Sequence, residues 1–426
     1  MSAEREGKKM GFNATWAMAV GGMVGGGIFS VLGVVVSVAG KWAWLSFVIG
    51  GLIALATAHS YTRLSVAFEK GGGAFTFLRE IHREGLGGSI SWILIIGYTL
   101  TISVYATTFG HYLAHVVGAG GWLVRASGIA VIIALTWINL RGVGDASAVE
   151  IFTVWVKLII LIGLALFGLA RWSPDQLSAG IEPRGLSGAV LGAASVFMAY
   201  EGFQLLTYDY DDIHDPRRTL PRASLTAVLV VMATYVMVAL GAGMLVGAGA
   251  IVEHDEVSLS IAGQAAAGLT GLILVSIAAA FSTASAINAT LFATARLARD
   301  VAADGELPSA LAHENSAGIP DRAVIGIAAA GGTLAVVGSL GTLVESASLA
   351  FLFTFAAVNA LAFIESVRAR WASLAGAVGA GAAGLVLIWR LSREEPVALA
   401  TLAALVMIAT LARPYILRRT VVRTAD

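Results

Sequence analysis

Long apolar stretches alternate along this chain with short polar breaks that hold nearly all of its charge. A helix rises ~1.5 Å per residue, so about 20 apolar residues cross a hydrocarbon core ~30 Å thick. A window of roughly 19 residues yields about twelve such segments. They lie near 13–38, 43–68, 90–117, 126–141, 148–171, 187–208, 223–248, 268–297, 323–341, 343–364, 373–390 and 397–415. The break at 71–88 sets Phe75, Phe77, Leu78 and Ile81 among Arg79, Glu80, His82 and Arg83. That amphipathic pattern predicts a short helix lying at the membrane interface.

Composition agrees with the pattern. The 426 residues are 58% hydrophobic and 13% charged, with a mean hydropathy of +0.83, which excludes a water-soluble globule of this size. The fold class expected is therefore an all-α polytopic membrane protein. Cysteine is absent, which removes disulfides, thiolate metal sites and cysteine nucleophiles. The formal net charge of zero points to no polyanionic partner, so nucleic acid is not expected.

Charge placement orients the spans. With the N-terminus inside, twenty of the 27 Lys and Arg residues fall on the inner side, six outside, and Lys157 within the membrane. The positive-inside rule thus puts both termini in the cytoplasm of a multi-pass plasma-membrane protein. Residues 1–9 read as a retained polar tail. The longest polar outer loops are Trp172 to Ser187 and the acidic stretch Glu253-His-Asp-Glu256. No linker or charge block marks a separate soluble domain.

Lys157 stands alone in the apolar run 151–167. An intramembrane charge costs ~3 kcal/mol on insertion scales, so such groups face polar cavities and mark ion or proton paths. Snorkelling would have to cover about nine residues, ~13 Å of helix, which exceeds a lysine side chain.

Two spans carry interruptions. The first contains Gly21-Gly-Met-Val-Gly-Gly-Gly-Ile-Phe29. Three adjacent glycines predict an unwound joint whose free N–H groups would receive a carboxylate, although close small-residue packing accounts for the glycines equally well. The sixth contains Phe197-Met-Ala-Tyr-Glu-Gly-Phe203, with an acid and a glycine in mid-membrane. Paired interruptions in corresponding spans point to a transporter substrate site. Glu201 reads either as a substrate group or as an acid filling a polar niche. In the eighth span Ser282 and Ser285 share a helix face, suited to solvating a cation or to gluing helices together.

These segments resemble the amino acid–polyamine–organocation (APC) transporter family, and within it the proton-coupled ApcT-type amino-acid transporters. The resemblance covers nearly the whole chain. It rests on residues 21–29 and Tyr200-Glu-Gly-Phe203, on Asp215-Pro-Arg-Arg-Thr-Leu-Pro-Arg-Ala223, and on Arg299-Asp300 followed by Asp304-Gly-Glu-Leu-Pro308. It implies a leucine-transporter-like fold, with two inverted five-helix repeats over 13–171 and 187–364 and peripheral helices over 373–415. By the same resemblance, the amides of Gly25, Gly26 and Gly27 meet the substrate carboxylate, Met198 and Ala199 hold its amine, and Glu201 lines the side-chain pocket. Lys157 falls where ApcT-like members carry a lysine in place of a bound cation, with the Gly21 carbonyl and the Ser282/Ser285 face as expected partners. Met198 replaces a frequent aromatic and Glu201 a frequent apolar residue, which leaves substrate identity open.

The expected function is proton-coupled amino-acid symport by alternating access, with exchange of amino acids or polyamines as the alternative and a channel as a further one. The proton is the coupling ion, and no other cofactor, catalytic residue or metal is expected. The expected partners are an amino acid or related amine and the lipid bilayer, with no obligatory protein partner. Histidines are scattered, His111 and His115 being the only pair at four-residue spacing, too few for a metal site. No phosphate-binding Gly-Lys-Ser/Thr loop suggests ATP-driven transport.

Overall fold

The computed structural model describes residues 9–82, 84–141 and 147–407. Fourteen α-helices are found among them: α1 (Phe12–Ala39), α2 (Ala43–Phe68), α3 (Gly73–Glu80), α4 (Glu84–Val117), α5 (Gly121–Leu140), α6 (Ser147–Arg171), α7 (Ser187–Ser195), α8 (Pro216–Val246), α9 (Ala248–Glu253), α10 (Ser258–Ala303), α11 (Asp321–Val337), α12 (Leu340–Ile364), α13 (Arg370–Glu394) and α14 (Pro396–Met407). Their apolar length sorts them. Among the described residues, eight stretches are long and apolar enough to cross a membrane, the first of which, Phe12–Phe68, holds α1 and α2 back to back. The chain is thus an all-α polytopic membrane protein.

Side-chain pattern decides where each helix sits. A helix apolar all round is buried on all sides, and α1 is buried almost continuously from Ala17 to Ala39, with α6, α7, α8 and α10 around it. By contrast, α6 is two-faced. Phe152, Trp155, Ile159 and Leu166 are exposed along one side, as a lipid-facing stripe requires, while Val154, Lys157, Leu158, Leu161 and Ala165 are buried on the other. The lysine therefore faces protein.

Two helices depart from the expected outline. Helix α10 contains a break, where Ala267 and Gly268 leave helical geometry and Gly268 takes φ +60°. Residues 258–266 fold back there as a hairpin, in which Ser260 Oγ meets Ser276 Oγ at 2.6 Å and Gly271 lets the Gly263 carbonyl approach where a Cβ would clash. The predicted interfacial helix exists as α3, but Phe75, Phe77 and Leu78 are buried and the helix packs on α2 and α4. It belongs to the protein core rather than to the lipid surface.

Candidate functional site

The sixth span is broken where the sequence places its acid and glycine. Helix α7 tightens into a 3-10 turn over Val196–Tyr200, Glu201 is extended, and Gly202 takes φ +130° before a second 3-10 turn, Phe203–Thr207. A side chain at Gly202 would be strained by that φ and would also meet the Gly22 backbone of α1 at 2.6 Å. The break strips backbone groups of their helical partners, and in apolar surroundings each needs another. Side chains supply them. The Met198 N–H donates to Ser348 Oγ at 3.0 Å, and Ser348 Oγ in turn donates to the Ser195 carbonyl at 2.8 Å. The Gly202 N–H donates to Gln204 Oε1 at 3.0 Å. Tyr235 Oη lies 3.0 Å from the Ala199 carbonyl and 2.7 Å from the Met23 carbonyl, so its proton is shared between the broken span and α1.

Glu201 sits in a polar knot. Gln204 Nε2 donates to its Oε1 at 3.2 Å and to Tyr98 Oη at the same distance, while Tyr105 Oη reaches its Oε2 at 3.5 Å. All four side chains are buried.

The first span does not contain the predicted unwound joint: α1 is helical throughout Phe12–Ala39. Gly25, Gly26 and Gly27 are wound, and their value is space. A Cβ would sit 2.4 Å from Ala286 Cβ at Gly25, 2.0 Å from the Tyr105 ring at Gly26, and 2.5 Å from Tyr235 Oη at Gly27. The small-residue packing reading of these glycines is the one realised in this arrangement, and their amides serve the helix rather than a carboxylate. Ala199 and Glu201 stand across from them, linked through Tyr235 and Tyr105 respectively, while Met198 is tied to Ser348 instead.

Lys157 is 4% exposed, which rules out snorkelling. Its Nζ donates to the Gly21 carbonyl at 3.2 Å, joining α6 to α1 one turn before the glycine run. Ser282, on α10, is buried beside α1, with its carbonyl 3.5 Å from where a Gly25 Cβ would lie. Its Oγ has no hydrogen-bond partner among the described residues. Ser285 is half-buried on the same helix. The helices of the expected lysine site thus meet, while the serine hydroxyl remains unsatisfied.

The site is closed on both sides. On the side of residues 9–12, the Met10 N–H donates to the Asp212 carbonyl at 2.8 Å and the His214 N–H to the Met10 carbonyl at 2.9 Å. Arg296 pairs with Asp209 at 3.1 Å, and Arg79 with Asp304 and Arg217 with Glu69 add further ties. Burial holds the Asp209 carboxyl above the usual range, with the Arg296 guanidinium opposing it. Opposite, Phe29 meets Tyr112 edge-on, and Asp255 packs on Gly33 of α1.

Sequence reasoning passed over Gln204, Tyr98, Tyr105, Tyr235 and Ser348. One signal was available: Tyr98, Tyr105 and Tyr112 recur every seven residues along α4, hence on one face, and all three are fully buried. No group of three or more His, Asp or Glu among the described residues is arranged to hold a metal.

A family model described as amino acid permease matches residues 10–413. The chain belongs to the amino acid permease family. Relatives of this permease include the uncharacterized protein MJ0609 of Methanocaldococcus jannaschii, 32% identical over 309 residues, which are 72% of this chain and 71% of that one. The inner membrane transport protein YbaT of Escherichia coli is 29% identical over 376 residues, 85% of this permease and 84% of the relative. The serine/threonine exchanger SteT of Bacillus subtilis is 28% identical over 308 residues, 71% and 70% of the two chains.

Proposed function

We propose that this permease is a secondary active transporter that carries an amino acid or related amine together with a proton, by alternating access in a plasma membrane. One observation carries the reading: the buried Lys157 ammonium donates to Gly21 at 3.2 Å, at the entry to the glycine run. Protonated, Lys157 ties α6 to α1. Release of the proton removes its charge and one donor, which weakens the tie and frees α1 to part from its neighbours. The unsatisfied Ser282 hydroxyl, with Ser285, offers the ammonium further oxygen partners as the helices shift.

The substrate site lies between the α1 glycines and the break at Glu201–Gly202. Opening it involves local unwinding at Gly25, Gly26 and Gly27, whose amides then receive the carboxylate at the N-terminal end of the remaining half-helix. Carbonyls at Met198 and Ala199 take the amine. Glu201 faces the substrate side chain and favours a cationic or hydroxylated one. The scaffold is two inverted repeats, 13–171 and 187–364, with both termini cytoplasmic.

Exchange is the second reading, favoured by the similarity to SteT, a serine/threonine exchanger. Proteoliposomes separate the two. Symport predicts amino-acid accumulation driven by an imposed inward proton gradient into vesicles empty of substrate. Uptake seen only with substrate preloaded, and indifferent to the gradient, would establish exchange.

A further inference from the structure

We propose that the cleft between the N-terminal ends of α1 and α8 binds the headgroup of an anionic phospholipid. The cleft is open, about 560 Å³ in volume, and is walled by Phe12 on one side and by Arg218, Arg222 and Thr226 on the other. It does not overlap the substrate site, and its assignment is independent of the transport reading.

Three observations point to this ligand. The first is charge. Arg218 and Arg222 reach the cleft together with His214 and Asp215. Asp215 offsets only part of that charge, since Arg218 Nε is 3.9 Å from its Oδ2, and Arg222 has no ion pair among the described residues. A guanidinium presents a planar fork of donors that matches phosphate oxygens, and a net positive cleft selects an anionic headgroup over a zwitterionic one.

The second is the order of chemistry along the helix. Arg218, Arg222, Thr226 and Leu229 follow at spacings of four, four and three, so they share one face of α8, and all four are exposed. From Arg218 to Leu229 the helix rises ~16 Å, about the depth of half a hydrocarbon core. Going inward, cations give way to a hydroxyl and then to an apolar side chain, as phosphate gives way to glycerol and acyl chain. The exposed Phe12 ring faces them from α1. Thr219 and Thr226 donate their hydroxyl protons to the His214 and Arg222 carbonyls, which leaves both oxygens as acceptors for headgroup hydroxyls.

The third is location. The walls are joined through the Met10 hydrogen bonds to Asp212 and His214, where α1 begins and where the broken span leads into α8. Basic clefts between helices, on the side where the protein carries its excess of Lys and Arg, face the anionic leaflet and bind anionic headgroups. A headgroup here would bridge two elements that close the substrate site.

The test is native mass spectrometry of the purified full chain, offered equal amounts of phosphatidylglycerol and phosphatidylcholine. Wild-type protein is expected to retain phosphatidylglycerol preferentially. Arg222→Gln should weaken that retention about fivefold, and Arg218→Gln with Arg222→Gln by about the square of that factor. Arg322→Gln, an exposed arginine at the start of α11 outside the cleft, should leave it unchanged. Equal retention of the two lipids by wild type would overturn the proposal. So would equal loss in Arg322→Gln and Arg222→Gln, which would mean diffuse surface attraction.

Discussion

The first and sixth spans both carry glycine at mid-membrane, yet α1 is continuous and the sixth span is broken at Glu201–Gly202. Propensity alone would order them the other way. Three glycines cost α1 ~3 kcal/mol relative to alanine, against ~1 for the single Gly202. The deciding quantity is satisfaction of the backbone. Each buried N–H or C=O left without a partner costs ~1–3 kcal/mol, so opening three or four such groups exceeds what the glycines lose by staying wound. In the sixth span Gln204, Ser348 and Tyr235 meet the freed groups. Around Gly25 to Gly27, Ala286 and the Tyr105 ring are packed at contact and only fill space, while the single Tyr235 hydroxyl is already shared between the Met23 and Ala199 carbonyls. A buried helix opens where side chains stand ready to accept the pieces.

The largest effect should come from replacing the residue that defines the break. Gly202→Ala forces φ +130° on a residue with a Cβ and drives that Cβ into α1. A loss of about 3 kcal/mol or more is expected from strain and clash together, read as thermal unfolding in detergent, with uptake abolished. Unaltered stability would mean that Gly202 is not held at that φ against α1. Next comes Gly27→Ala, which crowds the Ala199 carbonyl at 2.7 Å but gains helix propensity, so its net cost should fall to about 1–2 kcal/mol. If it destabilised more than Gly202→Ala, the contrast between the two spans would be reversed. Gln204→Leu leaves the Gly202 N–H and the Glu201 Oε1 without a partner, at a cost of about 1–3 kcal/mol. The smallest change in stability is expected for Glu201→Gln, which preserves shape and hydrogen bonding. Its signature is instead a changed ranking of competing amino acids, and an unchanged ranking would remove Glu201 from the side-chain pocket.

Much of this was legible in the sequence. Apolar segment length outlined the membrane helices, because the bilayer imposes one length on all of them. The break at Glu201–Gly202 was readable because an acid in mid-membrane is costly unless it lines a polar site, and the adjacent glycine supplies the joint that such a site needs. Lys157 was readable on the same ground of cost, and its contact with Gly21 followed from family resemblance. The state of α1 was not readable, since glycine serves an unwound joint and a tight helix contact alike, and the choice lies in residues from α4, α8 and α10. Gln204 was missed because its role depends on a backbone N–H exposed by a turn two residues earlier. The burial of α3 likewise depends on the aromatic wall formed by Tyr61 and Phe68, which its own amphipathic pattern does not contain.

Proton movement itself is the most direct test of the account. Purified permease in vesicles enclosing a pH-sensitive dye should acidify the lumen when an accepted amino acid is added outside, and Lys157→Ala should abolish that acidification while substrate binding is retained in part. Wild-type transport of labelled amino acid without acidification, or undiminished acidification in Lys157→Ala, would contradict the assignment of Lys157 as the coupling residue.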